Sequence, residues 1–205
     1  MQIVRHGSNR EPADSGLVRL TIDAARRAEA MGIVEPGTLH VAPDAIRHLA
    51  GKIRSAGIAT SAADVLRNVE TVSRDEVMAL LRTIVAALEA SPAPKHEWKG
   101  LGRVFPVEDL AELLTISASS LKRYQSGERD TPDVIAARLH FLALVVGDLA
   151  GSYNDLGIRR WFRRTRTQLD GRSPAAILTD DWDPDDEAPR RVRELARNLV
   201  TLSAT

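Results

Sequence analysis

Ser117, Ser119, Ser120, Lys122, Arg123 and Gln125 crowd into residues 117–125. Short hydroxyls followed by Lys, Arg and Gln are the side-chain types that reach base edges and phosphates in a DNA major groove. A second set of residues is purely charged. Arg159, Arg160, Arg163, Arg164 and Arg166 form a basic block, and Asp180, Asp181, Asp183, Asp185, Asp186 and Glu187 an acidic one. Arg190, Arg191 and Arg193 turn the chain basic again. Such alternating blocks suit electrostatic contact with a partner. Enzyme signatures are missing: there is no His/Asp cluster at metal spacing, no Gly-rich phosphate loop and no Gly-x-Ser-x-Gly elbow. There is no cysteine, which excludes disulfides and thiolate metal sites. The reading is therefore of a non-enzyme without cofactor or metal.

The mixed polar set needs a helix to present it. Asp109–Gly127 has the pattern of a helix, a tight turn and a second helix. Ala111 is small enough for two helices to cross closely, and Ile116 can plug the turn from below. Ser117 can cap the second helix. Leu121 and Tyr124, three apart, can face a core and leave the six polar residues outside. Thr115 stands where such a turn favours Gly. A β-branched residue is costly at positive φ, so the expectation is a distorted turn or a weak reader of DNA. Lys122, Arg123 and Arg129 sit among Glu112, Glu128 and Asp130. Few phosphate contacts imply a shallow salt dependence, and tight binding would need a dimer or a partner.

The rest of the chain is also helical in pattern. Its 205 residues are 43% apolar but only 4% aromatic, so the core must be Leu, Val, Ile and Ala. Ile46, Leu49, Ala50 and Ile53 lie on one stripe between Pro43 and Gly57; Ala62, Val65, Leu66 and Val69 repeat it. Ser73–Glu76 is a capping box for a helix carrying Val77, Leu80, Leu81, Ile84 and Leu88. Ser91-Pro92-Ala93-Pro94 is the best linker. Pro106 can open the helix that runs through Leu114. Thr131 as N-cap and Pro132 at N1 open a helix to Ala150, apolar almost all round and so central. Helices over Asp155–Leu169, from Pro174 to Leu178 and beyond Pro189 complete the set. Short strands are expected only at Gln2–Val4 and Thr38–Val41. The expected fold is all-α, in three regions: 1–94, mainly helical and of unknown role; 101–150, the helix-turn-helix; and 151–205, a helical bundle. Net charge is zero, with 28 basic and 28 acidic residues, which argues against bulk nucleic-acid binding. No apolar run reaches a membrane span or a signal peptide, so a cytoplasmic location is expected.

Residues from about 105 to 202 resemble the Xre/MbcA/ParS antitoxin family. The resemblance rests on the order of features: Leu121–Gly127 closing the helix-turn-helix, the long helix around Ala137-Arg138-Leu139, then Leu156-Gly157-Ile158-Arg159-Arg160-Trp161-Phe162. Leu169-Asp170-Gly171-Arg172-Ser173-Pro174-Ala175-Ala176-Ile177-Leu178 is the most specific block. Trp161, Gly171 and Pro174 match the family's structural positions. The resemblance implies a type II antitoxin that pairs with a RES-domain toxin, an NAD-degrading enzyme, in a dimer or larger hetero-oligomer. It implies that the C-terminal domain covers the toxin and the last residues block its NAD pocket. It further implies that the helix-turn-helix represses the operon at operator DNA. Toxin contacts are then expected at Arg159, Arg160, Arg163, Arg164, Arg193, Arg197 and Asn198. The chain departs from the family by roughly 100 extra N-terminal residues and by the acidic block.

Two other readings stay open. A stand-alone helix-turn-helix transcriptional regulator has the same composition. Val4-Arg5-His6-Gly7 resembles the histidine phosphatase superfamily, where Arg-His-Gly supplies a phosphohistidine nucleophile. That chemistry needs a second His on a later strand, and none of His40, His48, His96 or His140 is followed by Gly.

Overall fold

The computed structural model describes residues 15–37, 42–68 and 72–202. Arg5-His6-Gly7, Val69 and the two expected strands, Gln2–Val4 and Thr38–Val41, lie outside the described residues. Among the described residues the protein is all helical, with no strand, and no single helix is long and apolar enough to cross a membrane. They divide into two units. One takes the residues up to Glu29 together with Ile33–Ser91; the other takes Ala30–Gly32 and everything from Pro92 onward. The expected linker at Ser91–Pro94 coincides with this division, and the stretches 101–150 and 151–205 share one unit.

The first unit holds α1 (Ser15–Ala30) up to Glu29, α2 (Pro43–Ser55), α3 (Thr60–Leu66) and α4 (Arg74–Ala90). α2 buries Ile46, Leu49, Ala50 and Ile53, the expected stripe. It turns into α3 through Gly57 and Ala59, both at positive φ, with Ile58 buried between them. α3 buries Ala62, Ala63 and Leu66 but leaves Val65 exposed, because the helix stops at Leu66 and Val65 points off the packed side. Ser73 caps α4 by accepting from the Glu76 amide at 3.4 Å. The buried Arg27 of α1 donates to Glu89 of α4 at 2.7 Å and also pairs with Asp23, so this cation is compensated.

The second unit is built around α8 (Asp133–Leu149). It also contains α5 (Pro94–Val104), α6 (Val107–Leu114), α7 (Ala118–Gln125), α9 (Asp155–Arg163), α10 (Pro174–Ile177) and α11 (Glu187–Leu202). α8 is buried from Arg138 through Leu149, as a helix apolar on all sides requires. α5, α6 and α11 pack on it, and α9 packs on α5 and α10. α5 had no counterpart among the expected helices. It starts at Pro94 and buries Trp98, Leu101 and Val104. It also buries Glu97 completely, and Glu97 Oε1 and His140 Nδ1 of α8 share a 2.6 Å hydrogen bond.

Three expected boundaries are corrected. The last helix begins at Glu187, ahead of Pro189 and not beyond it. Thr131 is not the N-cap of α8; Pro132 is, without a side-chain cap. The Thr131 hydroxyl instead accepts from the Trp98 indole N–H at 2.9 Å. The helix from Asp155 stops at Arg163, where Arg164 is extended, and only a short 3-10 turn follows at Thr167–Leu169. Arg166 there lies over the Trp161 ring at 5.2 Å, and its amide donates to Arg172 O at 3.0 Å; a continuing helix would permit neither. Gly171 takes φ +75°, so the Leu-x-Gly-x-x-Pro turn needs its glycine. Trp161 is 2% exposed and packs edge-on against Phe162, which meets Phe105 the same way. Trp161→Ala is expected to cost about 3–5 kcal/mol of unfolding free energy, measured by urea denaturation. A loss under about 1 kcal/mol would remove Trp161 from the core of this unit.

Candidate nucleic-acid interface

α6 and α7 are joined through a turn at Thr115, which takes φ +55° and ψ +42°. These values lie close to the ideal left-handed conformation, so the expected distortion is absent. The turn closes by ordinary bonds: the Thr115 amide donates to Glu112 O and the Ile116 amide to Ala111 O, both at 3.0 Å. The helix pair buries Leu110, Ala111, Leu113 and Leu114 on one side and Leu121 and Tyr124 on the other. Ile116 is half-buried.

The Thr115 side chain makes one local and one tertiary bond. Its hydroxyl donates to Leu114 O at 2.7 Å and accepts from Arg138 Nη1 at 2.6 Å. Arg138 is 4% exposed. Its Nε donates to Trp182 O at 2.7 Å and its Nη2 to Asp181 Oδ1 at 2.6 Å. The Trp182 indole donates to Leu113 O at 3.0 Å and stands edge-on to Phe141 at 5.3 Å. The guanidinium carbon lies 5.3 Å from the Trp182 ring centroid. Arg138, Trp182 and the Thr115 hydroxyl were not among the expected functional residues. The visible signal is an arginine within a helix that is apolar almost all round.

α7 rests on α5. Tyr124 stacks on Trp98 with ring centroids 6.1 Å apart, and Arg129 covers Tyr124 at 5.7 Å. Gly102 of α5 makes room for Gln125, since a Cβ there would come within 2.9 Å of the Gln125 amide nitrogen. The outer face of α7 carries Ser119, Lys122, Arg123 and Gln125, all exposed. The expected residues are thus brought together, with different degrees of freedom. The Ser117 oxygen caps α7 by accepting from the Ser120 amide at 3.0 Å, and the hydroxyls of Ser119 and Ser120 lie 2.9 and 3.0 Å from it. Arg123 donates to Glu128 at 3.0 Å.

The residues expected to meet a toxin are less free. Arg159 is half-buried and donates to Val104 O at 2.6 Å. Arg163 donates to Asp109 at 2.6 Å and Glu112 at 3.3 Å, which raises its guanidinium's proton affinity. Both clamp α9 onto the α5–α6 region. Arg193 and Arg197 lie 3.9 and 3.6 Å from the buried Asp148 of α8. Arg160, Arg164 and Asn198 are exposed. α11 itself is part of the core, burying Val192 and Ala196. No family model matches the chain, and comparison with curated proteins and with solved structures finds no match either.

Two outcomes are expected. Ser117→Ala should cost about 1 kcal/mol of stability through the lost cap, measured by denaturant titration. Arg191 donates to Asp170 at 2.7 Å and holds that carboxyl below its ordinary range. The pair's contribution is complete above the ordinary carboxylate pKa and fades as pH falls through the lowered one. Arg191→Ala should therefore flatten the acid limb of the stability curve, and an unchanged limb would show that the exposed pair contributes nothing.

Proposed function

We propose that this chain is a DNA-binding antitoxin: α7 reads operator DNA, and the C-terminal helices grip a RES-domain toxin whose gene lies in the same operon. The observation that supports DNA reading best is the presentation of α7. Its inner side is anchored by Leu121 and Tyr124, and its outer side offers Ser119, Lys122, Arg123 and Gln125 to solvent. A short polar helix held this rigidly, directly after a tight turn, suits insertion into a major groove. With so few cations, useful affinity calls for a homodimer on two half-sites.

The toxin-binding part of the proposal rests on the resemblance and on the exposed Arg160, Arg164 and Asn198. The internal engagement of Arg159 and Arg163 favours the second reading, a regulator without a toxin, because it removes cations from the docking surface. Deleting α11 would bare α8, so substitutions on the outer surface are the sharper test.

Gel shifts with the DNA upstream of the chain's own gene test the first part. Lys122→Ala and Arg123→Ala should each weaken binding about tenfold, and loss of a phosphate contact should lower the salt slope by about one. Binding no tighter than to random DNA would sink the proposal. Co-expression with the neighbouring gene tests the second part. A product toxic by itself and tolerated with this chain supports an antitoxin, and Arg160→Glu with Arg164→Glu should abolish protection. A harmless neighbour leaves the stand-alone regulator.

A further inference from the structure

Arg138 touches two segments that are remote in sequence, each containing a residue with left-handed backbone. Thr115 closes the α6–α7 turn at φ +55°. Asp180, next to Asp181 and Trp182, takes φ +57° in the loop between α10 and α11. Left-handed backbone is costly for a β-branched residue such as Thr115, whereas aspartate visits it readily. One buried guanidinium bonds to both segments: Nη1 to the Thr115 hydroxyl, Nε to Trp182 O and Nη2 to Asp181. The Trp182 indole closes the circuit by donating to Leu113 O, two residues before Thr115.

We propose that Arg138 makes the 178–183 loop and the α6–α7 turn one conformational unit, so that displacing the loop unlocks the turn and reorients α7. The direction follows from the bonds. When Trp182 leaves its seat, Leu113 O loses its donor and Arg138 loses one acceptor and the ring it packs against. The guanidinium can then follow Asp181 outward, and Thr115 loses the partner that balances its strain. The loop opens the acidic stretch that runs into α11. A partner pulling on that stretch would thus act on α7 without touching it. The consequence for DNA rests on the reading of α7 given above; the mechanical linkage does not.

Amide hydrogen exchange on the full chain tests the linkage. The reporters are the amides of Thr115 and Ile116, both hydrogen-bonded in the closed turn. Asp181→Ala removes only an exposed carboxylate, Arg138→Lys keeps the charge but loses the fork, and Trp182→Ala removes the indole and its bond to Leu113 O. Each should speed exchange at these two amides about tenfold, with the amides of α4 and central α8 unchanged. In a Thr115→Gly background, where the turn needs no support, Arg138→Lys should change turn exchange less than twofold. Unaltered exchange at Thr115 and Ile116 in all three variants overturns the proposal. So does acceleration spread evenly over the unit, which would make Arg138 a general core residue. Gel shifts on the same variants separate the two claims. A loosened turn with unchanged DNA affinity leaves the linkage standing and removes α7 as the reader; an unresponsive turn removes the linkage whatever the DNA does.

Discussion

A guanidinium taken out of water is tolerated only if its donors are satisfied and its charge is balanced. Arg138 meets that requirement with a hydroxyl, a carbonyl and a carboxylate, and its guanidinium carbon lies 5.3 Å from the centroid of an indole ring. The planar fork of arginine can do this, while the compact ammonium of lysine cannot reach three divergent acceptors. Because the partners come from the α6–α7 turn and the loop before α11, this one side chain ties both segments to α8. The bonds to Thr115 and Trp182 also explain why a threonine can occupy a turn position that ordinarily calls for glycine.

Charge elsewhere in this unit is divided between internal and external use. Arg159 and Arg163 act as struts that fasten α9 to its neighbours, and Arg191 fastens α11 to the Gln168–Asp170 turn. Arginine suits this role because its aliphatic stem packs while the head bonds. Arg163 does this from an exposed position, and Arg160, Arg164, Lys122 and Gln125 also face solvent. Function, on the proposed reading, belongs to this exposed subset. A block of like charges in the sequence is therefore a mixture of struts and contacts, and spacing does not separate them.

Local rules accounted for much of the architecture. The stripes of α2 and α4, the Ser73 and Ser117 caps and the Leu121/Tyr124 pair follow from helical periodicity and hydrogen-bond stereochemistry, and so does the glycine turn at Gly171. They involve neighbours within one or two turns of chain. α5 escaped notice because its apolar residues are interrupted by Glu97 and two glycines, and Glu97 is acceptable inside only through His140, 43 residues away. The break after Arg163 was missed because it depends on Arg166 turning back over Trp161.

The sequence by itself determined that this chain folds into amphipathic helices with one helix apolar almost all round among them, and that residues 109–127 form two short helices across a tight turn. These outcomes depend on propensity and periodicity, which are properties of adjacent residues. The tertiary structure decided which arginines are consumed, where Thr131 spends its hydroxyl and why Thr115 sits left-handed without distortion. Arg138 lies 23 residues from Thr115 and 44 from Trp182. Bonds over such separations exist only once the helices have packed, and no local pattern encodes them.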